Sequence, residues 1–296
     1  MNIKILKSRA LLSFAVLLIS LSGFAQQIKK IRYFMQTDAS PVSAVPYGNN
    51  PAAGHYIKSD DAQIYYEIYG KGKPFVILHG GIVGSPLEMG QFIDSLSRYY
   101  QVIAISTRGH GKSEIGSSVP SYEQKARDVE HVVQSITKEK VTILGFSDGA
   151  YTGYFFAKNY PEKISKLVAI GAGEWKKGFR KFDMNLSSAV AFDEAYWKQQ
   201  LQLRPEPKQI DEWFSNVNNY YNTVDIRKNI FDQIKCPVLL LVGEKDQNAP
   251  LSTVIDAYHL LPNAQLGIIP NAPHPAFLAN FPAVWTTITP FLNNTD

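Results

Sequence analysis

Five continuous apolar runs recur at wide spacing along the chain: FVILH (75–79), VIAIS (102–106), VTILG (141–145), LVAIG (167–171) and VLLLVG (238–243). A strand with one wet face alternates apolar and polar residues. A strand covered on both faces is apolar throughout, so these runs predict strands in the middle of a two-sided sandwich. Helix-like segments separate the first four, as in SYEQKARDVEHVVQSITK after Pro120, whose apolar residues repeat with helical period. Strand and helix in alternation predict a mostly parallel, doubly wound α/β sheet. LGIIP (266–270) adds a short last strand, and a final helix is expected around Phe281 to Leu292. Upstream, YIKSDDAQIYYEIYGKGK holds two β-rich runs around Ser59-Asp60-Asp61 and reads as a hairpin ending at Gly70 to Lys73. Residues 26–55, which include SPVSAVPYGNNPAAG, lack periodicity and are expected as an extended arm over the domain surface.

The alternation stops between Gly171 and Val238. Residues 175–233 hold three of the four tryptophans, together with Phe179, Phe182, Phe192, Tyr196, Phe214, Tyr220, Tyr221 and Phe231, in helix-like stretches. This insertion is expected as a helical cap over the sheet. Its rings, Trp197 and Trp213 among them, either pack the cap helices together or line a pocket beneath them.

One of the apolar runs continues into GFSDG (145–149). Three matched glycine and serine positions would arise by chance about 0.1 times in a chain of this length, so the motif carries weight only through its surroundings. Those surroundings are a strand, Val141 to Leu144, then a turn tight enough to need Gly145 and Gly149, then a helix from Asp148 onward. That context leaves Ser147 at the apex, its hydroxyl above the sheet beside helix N-terminal amides. A serine hydroxyl is a weak nucleophile without a base, and the base needs a carboxylate to hold it. LLLVGEKDQNAP places Asp246 after one buried strand and IIPNAPHPAF places His274 after the next, giving the order Ser, Asp, His. Loops after strand C-termini open on one edge of a parallel sheet. An oxyanion needs two amides, and VILHGGIVGS allows Gly81 to supply one while Asp148 supplies the other. His79 is expected to orient that loop. No histidine cluster has metal-ligand spacing and GxGxxG is absent, so neither a metal nor a dinucleotide cofactor is expected.

The carboxylate of Asp148 is a problem at this position. Two like charges about 5 Å apart at an effective dielectric of about 20 repel by roughly 3 kcal/mol. The side chain therefore turns away at the helix N-terminus, is paired, or meets a cation, which in a substrate would be the ammonium of an α-amino ester.

HGG (79–81), RGHGKS (108–113), GFSDG (145–149), GEKD (243–246) and NAPH (271–274) together resemble the α/β-hydrolase family over essentially all of residues 26–296. Within that family the GFSDG elbow is similar to the biphenyl hydrolase-like and proline iminopeptidase-like branches. The resemblance implies one α/β-hydrolase domain over residues 26–296, with no cofactor and a small-molecule substrate, cleaved as an ester, an amino-acid ester or an N-terminal peptide bond. Ser106 stands where family members often carry aspartate, and HGGIVG lacks the HGGPG of iminopeptidases. Ser147 in place of an aspartate nucleophile argues against dehalogenases and epoxide hydrolases.

The first residues, MNIKILKSRALLSFAVLLISLSGFAQQ, place Lys4, Lys7 and Arg9 before an apolar stretch that ends in small residues ahead of Gln26. Residues 1–25 are expected as a signal peptide, the stretch from Ala10 to Ala25 being short of the roughly 20 residues that span a bilayer. Export to the periplasm or exterior follows, with no stable membrane anchor after cleavage. Without the leader the net charge falls from +4 to +1, and nothing favours a nucleic-acid partner. Cys236 is the only cysteine, so no intrachain disulfide forms. The leading expectation is an exported serine hydrolase cleaving small carboxylic esters through an acyl-enzyme. An aminopeptidase or amidase, a cofactor-free perhydrolase and a C–C hydrolase share the same triad, and a non-catalytic binding protein is the least favoured reading. Oligomeric state is not legible.

Overall fold

The computed structural model describes residues 31–294; the expected leader, residues 1–25, lies outside the described residues. The strands are β1 (Gly54–Ser59), β2 (Ala62–Tyr69), β3 (Lys73–Leu78), β4 (Tyr100–Ile105), β5 (Val141–Phe146), β6 (Ile164–Ile170), β7 (Val238–Gly243) and β8 (Ala264–Ile269). They form one sheet in the order β1-β2-β4-β3-β5-β6-β7-β8. The hairpin β1–β2 and the β2–β4 pair are antiparallel, and every other pair is parallel. The predicted mostly parallel sheet is therefore present.

The apolar runs are continuous because both faces of the sheet are covered. Along β3, Val76 and Leu78 enter the core on one face, while Phe75 and Ile77 enter the core on the other. The first core is closed by α2 (Tyr122–Ile136) and α3 (Asp148–Asn159), the second by α1 (Gly90–Leu96) and α10 (Phe281–Asn293). Helix α2 starts where Ser121 Oγ accepts from the Gln124 amide at 3.1 Å, satisfying one of the donors that a helix start leaves unpaired. From β3 the chain moves to β4 on one side, and β5 lies on the other. The sheet thus reverses direction at β3 and β5, where the loops beyond the strand ends separate and open a crevice.

Between β6 and β7 lie α4 (Leu186–Phe192), α5 (Glu194–Leu203), α6 (Ile210–Thr223) and α7 (Lys228–Phe231); α8 (Leu251–Leu260) follows β7 and α9 (Ala276–Ala279) precedes α10. Trp197 and Trp213 are buried against Phe214, with ring centroids 5.3 and 5.1 Å away. Their surface holds these helices together.

Residues 31–53 of the expected arm carry no helix or strand. Ile31, Tyr33 and Tyr47 are buried, and the segment is fastened at both ends. Tyr47 donates to Asp94 at 2.5 Å, and the amides of Gly48 and Asn50 donate to the Glu67 carboxylate at 2.8 and 2.7 Å. At the other end Asp193 accepts from the Met35 amide at 2.7 Å, pairs with Arg32 at 3.2 Å, and caps α5 by accepting from the Tyr196 amide at 3.0 Å. Phe34 meets the Tyr196 ring edge-on, 5.5 Å between centroids. These side-chain acceptors replace the strand pairing that a Pro/Gly/Asn-rich segment cannot make. Asp193→Ala is expected to lose about 1–3 kcal/mol, the value of a helix cap plus a charged hydrogen bond. Urea unfolding would measure that loss, and limited proteolysis would show faster cleavage within residues 31–53.

Candidate active site

Strand β5 reaches α3 through a turn that only its glycines permit. A Cβ on Gly145 would lie 2.3 Å from the Gly149 carbonyl oxygen, and one on Gly149 would lie 2.5 Å from that of Leu78. Between them Ser147 sits at φ +50° and ψ −112°, a conformation that costs about 1–3 kcal/mol for a residue with a side chain. The turn is held by hydrogen bonds on both sides. The Ser147 amide donates to the Ile170 carbonyl at 2.7 Å, and its carbonyl accepts from Ala150 and Tyr151 at 2.9 and 3.1 Å.

The loops after β7 and β8 bring the two other expected residues to this apex. Ser147 Oγ and His274 Nε2 are 2.9 Å apart, and His274 Nδ1 lies 2.7 Å from Asp246 Oδ2. The other carboxylate oxygen accepts from the Asn248 and Ala249 amides at 2.8 and 2.7 Å, so Asp246 is fixed by its own turn. The His274 ring leans on Phe146, 4.9 Å between centroids. With one ring nitrogen donating to a carboxylate, the other is left as the acceptor facing the serine hydroxyl.

Gly81 and Asp148 meet on the other side of the serine. A Cβ on Gly81 would lie 2.8 Å from Asp148 Cβ and 2.5 Å from the Tyr221 hydroxyl, so only glycine allows this approach. Among the described residues neither amide, Gly81 nor Asp148, has a hydrogen-bond acceptor. The loop that carries Gly81 is braced by His79, whose Nδ1–H donates to the Gly80 carbonyl at 2.6 Å while Nε2 accepts from the Thr107 amide at 3.0 Å. Burial pushes His79 down to about 4, so it braces as a neutral ring. Glu88 accepts from the Gly80 amide at 2.7 Å. Burial pushes its carboxyl up to about 8, against which the amide hydrogen bonds from Gly80 and Ser85 act only in part.

The Asp148 carboxylate neither turns away nor stands open. It is buried, paired with the ammonium of Lys125 at 2.5 Å, and accepts from the Tyr221 hydroxyl at 2.5 Å. The ammonium also lies over the Tyr122 and Tyr221 rings at 5.5 and 5.7 Å. Burial first, then the neighbouring Asp148 charge, holds the Tyr221 hydroxyl well above its ordinary value, so it stays a donor. The cation that Asp148 needs is thus supplied within the chain. Reading the helix periodicity alone misses Lys125, although a signal exists. It shares the helical face of Tyr122, Val129 and Val132, and a lysine inside an apolar stripe requires a buried carboxylate.

A cavity of about 220 Å³ opens beside Ser147 and His274, with Glu88, Tyr122 and Asp148 in its wall. The insertion contributes Trp175, Arg180, Phe182, Met184 and Tyr221. Trp197 and Trp213 are not in the lining, so for these two the packing alternative holds. Among the described residues no group of three His, Cys, Asp or Glu side chains could hold a metal ion, and no helix is long and apolar enough to cross a membrane.

Residues 73–202 match the family model described as the alpha/beta hydrolase fold. The chain is similar to the AB hydrolase superfamily protein YisY of Bacillus subtilis, 25% identical over 269 residues, which are 81% of this chain and 100% of that one. It is 24% identical to the serine hydrolase BPHL of Homo sapiens over 72% of this chain and 77% of that one. Among solved structures, a meta-cleavage product hydrolase superposes with a TM-score of 0.69 at 19% identity, covering 82% of this chain and 99% of that one. An enol-lactonase from Burkholderia xenovorans superposes with a TM-score of 0.66 at 16% identity, covering 81% and 100%.

Removing Lys125 leaves a buried, uncompensated carboxylate, which typically costs 3–5 kcal/mol. Lys125→Ala is expected to lose that much stability in urea unfolding, and Lys125→Met with Asp148→Asn to recover most of it. A second expectation concerns Glu88. A carboxyl whose folded value exceeds its unfolded one contributes stability that is complete below about pH 4.5 and is lost as pH rises through about 8. The Tm of the wild type should therefore fall between pH 5 and 8.5 by a component that Glu88→Gln abolishes, as measured by calorimetry.

Proposed function

The chain being an enzyme with the α/β-hydrolase fold and with relatives in the biphenyl hydrolase-like branch, we propose that it is a serine hydrolase cleaving small carboxylic esters through an acyl-enzyme. The observation that carries this reading is the continuous relay from Ser147 through His274 to Asp246, set beside two amides that have no acceptor of their own. His274 Nε2 takes the Ser147 proton as Oγ attacks the ester carbonyl. Asp246 holds the imidazole in the required tautomer and stabilises the imidazolium. The carbonyl oxygen gains charge and moves between the Gly81 and Asp148 amides, a contribution of about 2.7–4 kcal/mol per donor in such sites. His274 then returns the proton to the leaving alcohol. In the second half a water molecule takes the place of the serine hydroxyl and releases the acid.

The ester reading is favoured over an aminopeptidase or α-amino ester hydrolase by the charges in the cavity wall. Either of those substrates brings an ammonium that needs an unpaired carboxylate. The Asp148 charge is already neutralised by Lys125, and burial holds Glu88 largely protonated at neutral pH. The reading includes export to the periplasm or exterior, on the pattern of residues 1–25; mature protein starting at Gln26 is the expected product.

A fluorophosphonate should label the protein once, at Ser147, and mass spectrometry of the tryptic peptides would locate it; label elsewhere, or label that survives Ser147→Ala, would overturn the mechanism. Turnover of a p-nitrophenyl ester should fall at least 10³-fold in Ser147→Ala and in His274→Ala while their melting temperatures stay close to wild type.

A further inference from the structure

Arg180 is left over from this scheme. Its guanidinium lies over the Trp175 ring at 4.0 Å and the Phe182 ring at 5.2 Å, and all three residues line the cavity that contains Ser147. Stacking covers one face of a guanidinium and leaves its N–H edge unused. Arg180 Nε is buried without a hydrogen-bond partner, and among the described residues no carboxylate lies within 4.0 Å of the group. A buried donor without an acceptor is costly and rare in a folded chain. Two flat rings nevertheless hold this one in place.

The rest of the cavity wall carries no comparable charge. Asp148 is paired with Lys125 and with the Tyr221 hydroxyl. Asp246 is occupied by His274 and two turn amides. Glu88 is buried and accepts from the Gly80 amide, and burial pushes its carboxyl up to about 8. Arg180 is therefore the uncompensated charge of the cavity lining, in a pocket whose neighbouring walls are aromatic. A planar, rigid fork of donors matches the two oxygens of a carboxylate, and one cation matches a monoanion.

We infer that the site selects esters that carry a carboxylate, which Arg180 receives while Ser147 attacks the ester carbonyl. The inference rests on the esterase reading and names its substrate class. A cavity of about 220 Å³ holds a short chain between the two groups, as in the half-ester of a small dicarboxylic acid or the acetyl ester of a hydroxy acid.

Two matched pairs test it by kcat/KM: methyl hydrogen adipate against methyl hexanoate, with the carboxylate on the acyl side, and 4-acetoxybenzoate against phenyl acetate, with it on the leaving group. In at least one pair the acid should be preferred by tenfold or more, and Arg180→Gln should cut that preference at least tenfold, with Arg180→Lys between the two. A second readout needs no turnover. Adipate should change the tryptophan fluorescence of the wild type through Trp175, 1,6-hexanediol should not, and Arg180→Gln should weaken the adipate response at least tenfold. Ester hydrolysis with no preference in either pair, or with a preference that survives Arg180→Gln, overturns the inference. Arg180-dependent adipate binding in a protein that cleaves none of the four esters overturns the esterase reading and leaves the carboxylate site standing.

Discussion

The conformation of Ser147 is the constraint on which the rest of the architecture depends. A side chain held at φ +50° needs neighbours that over-determine it, and the strain is tolerable only where a buried strand and a packed helix fix both ends of the turn. Strand β5 supplies the first, paired with β6 from Val141 to Phe146 and with β3 from Thr142 to Gly145. Helix α3 supplies the second, its own Tyr154 and Phe156 fully buried. A strand so placed must be apolar on both faces, which is why VTILG reads as an uninterrupted run. The parallel sheet then brings the ends of β3, β7 and β8 to the same edge, where Gly81, Asp246 and His274 stand around the serine.

Charge is the second theme of the site. In the proposed reaction, an acidic residue directly after the serine would put about 3 kcal/mol of repulsion beside the oxyanion, for charges about 5 Å apart at an effective dielectric of about 20. The protein answers with Lys125 on α2 and Tyr221 on α6, so the carboxylate becomes a bridge between the helix behind the sheet and the helix above the pocket. Desolvating both ions is costly, and a buried pair is weak evidence of stability. What it supplies here is position: the first residue of α3, its free amide, and the hydroxyl closest to Gly81 are tied to one another. Arg180 was left out of this compensation and lies on an aromatic shelf in the same cavity.

Particular residues show how much was legible beforehand. The five runs, the hairpin and the last helix follow from hydrophobic periodicity, and Ser147, Asp246 and His274 follow from motifs placed after strands. The boundaries moved little, as with β4 starting at Tyr100 rather than at Val102. What the sequence did not show is how the arm at 31–53 is fastened, because its anchors are single side chains far away in sequence, Asp94, Glu67 and Asp193, and no local period encodes them. Trp197 and Trp213 could not be sorted from Trp175 by composition, since an aromatic ring buried in helix packing and one lining a cavity are equally apolar.

The division has a physical cause. Backbone conformation and burial of a strand or a helix depend on residues two to four positions apart, so the sheet, the sharp turn and the chain order of serine, aspartate and histidine were determined by the sequence alone. Compensation of charge depends on which side chains meet in space. That Asp148 would be met by Lys125, that Glu88 would be dry enough to hold its proton, and that Arg180 would be stacked and left without a carboxylate were decided only when α2, α6 and the segment after β6 packed around the crevice.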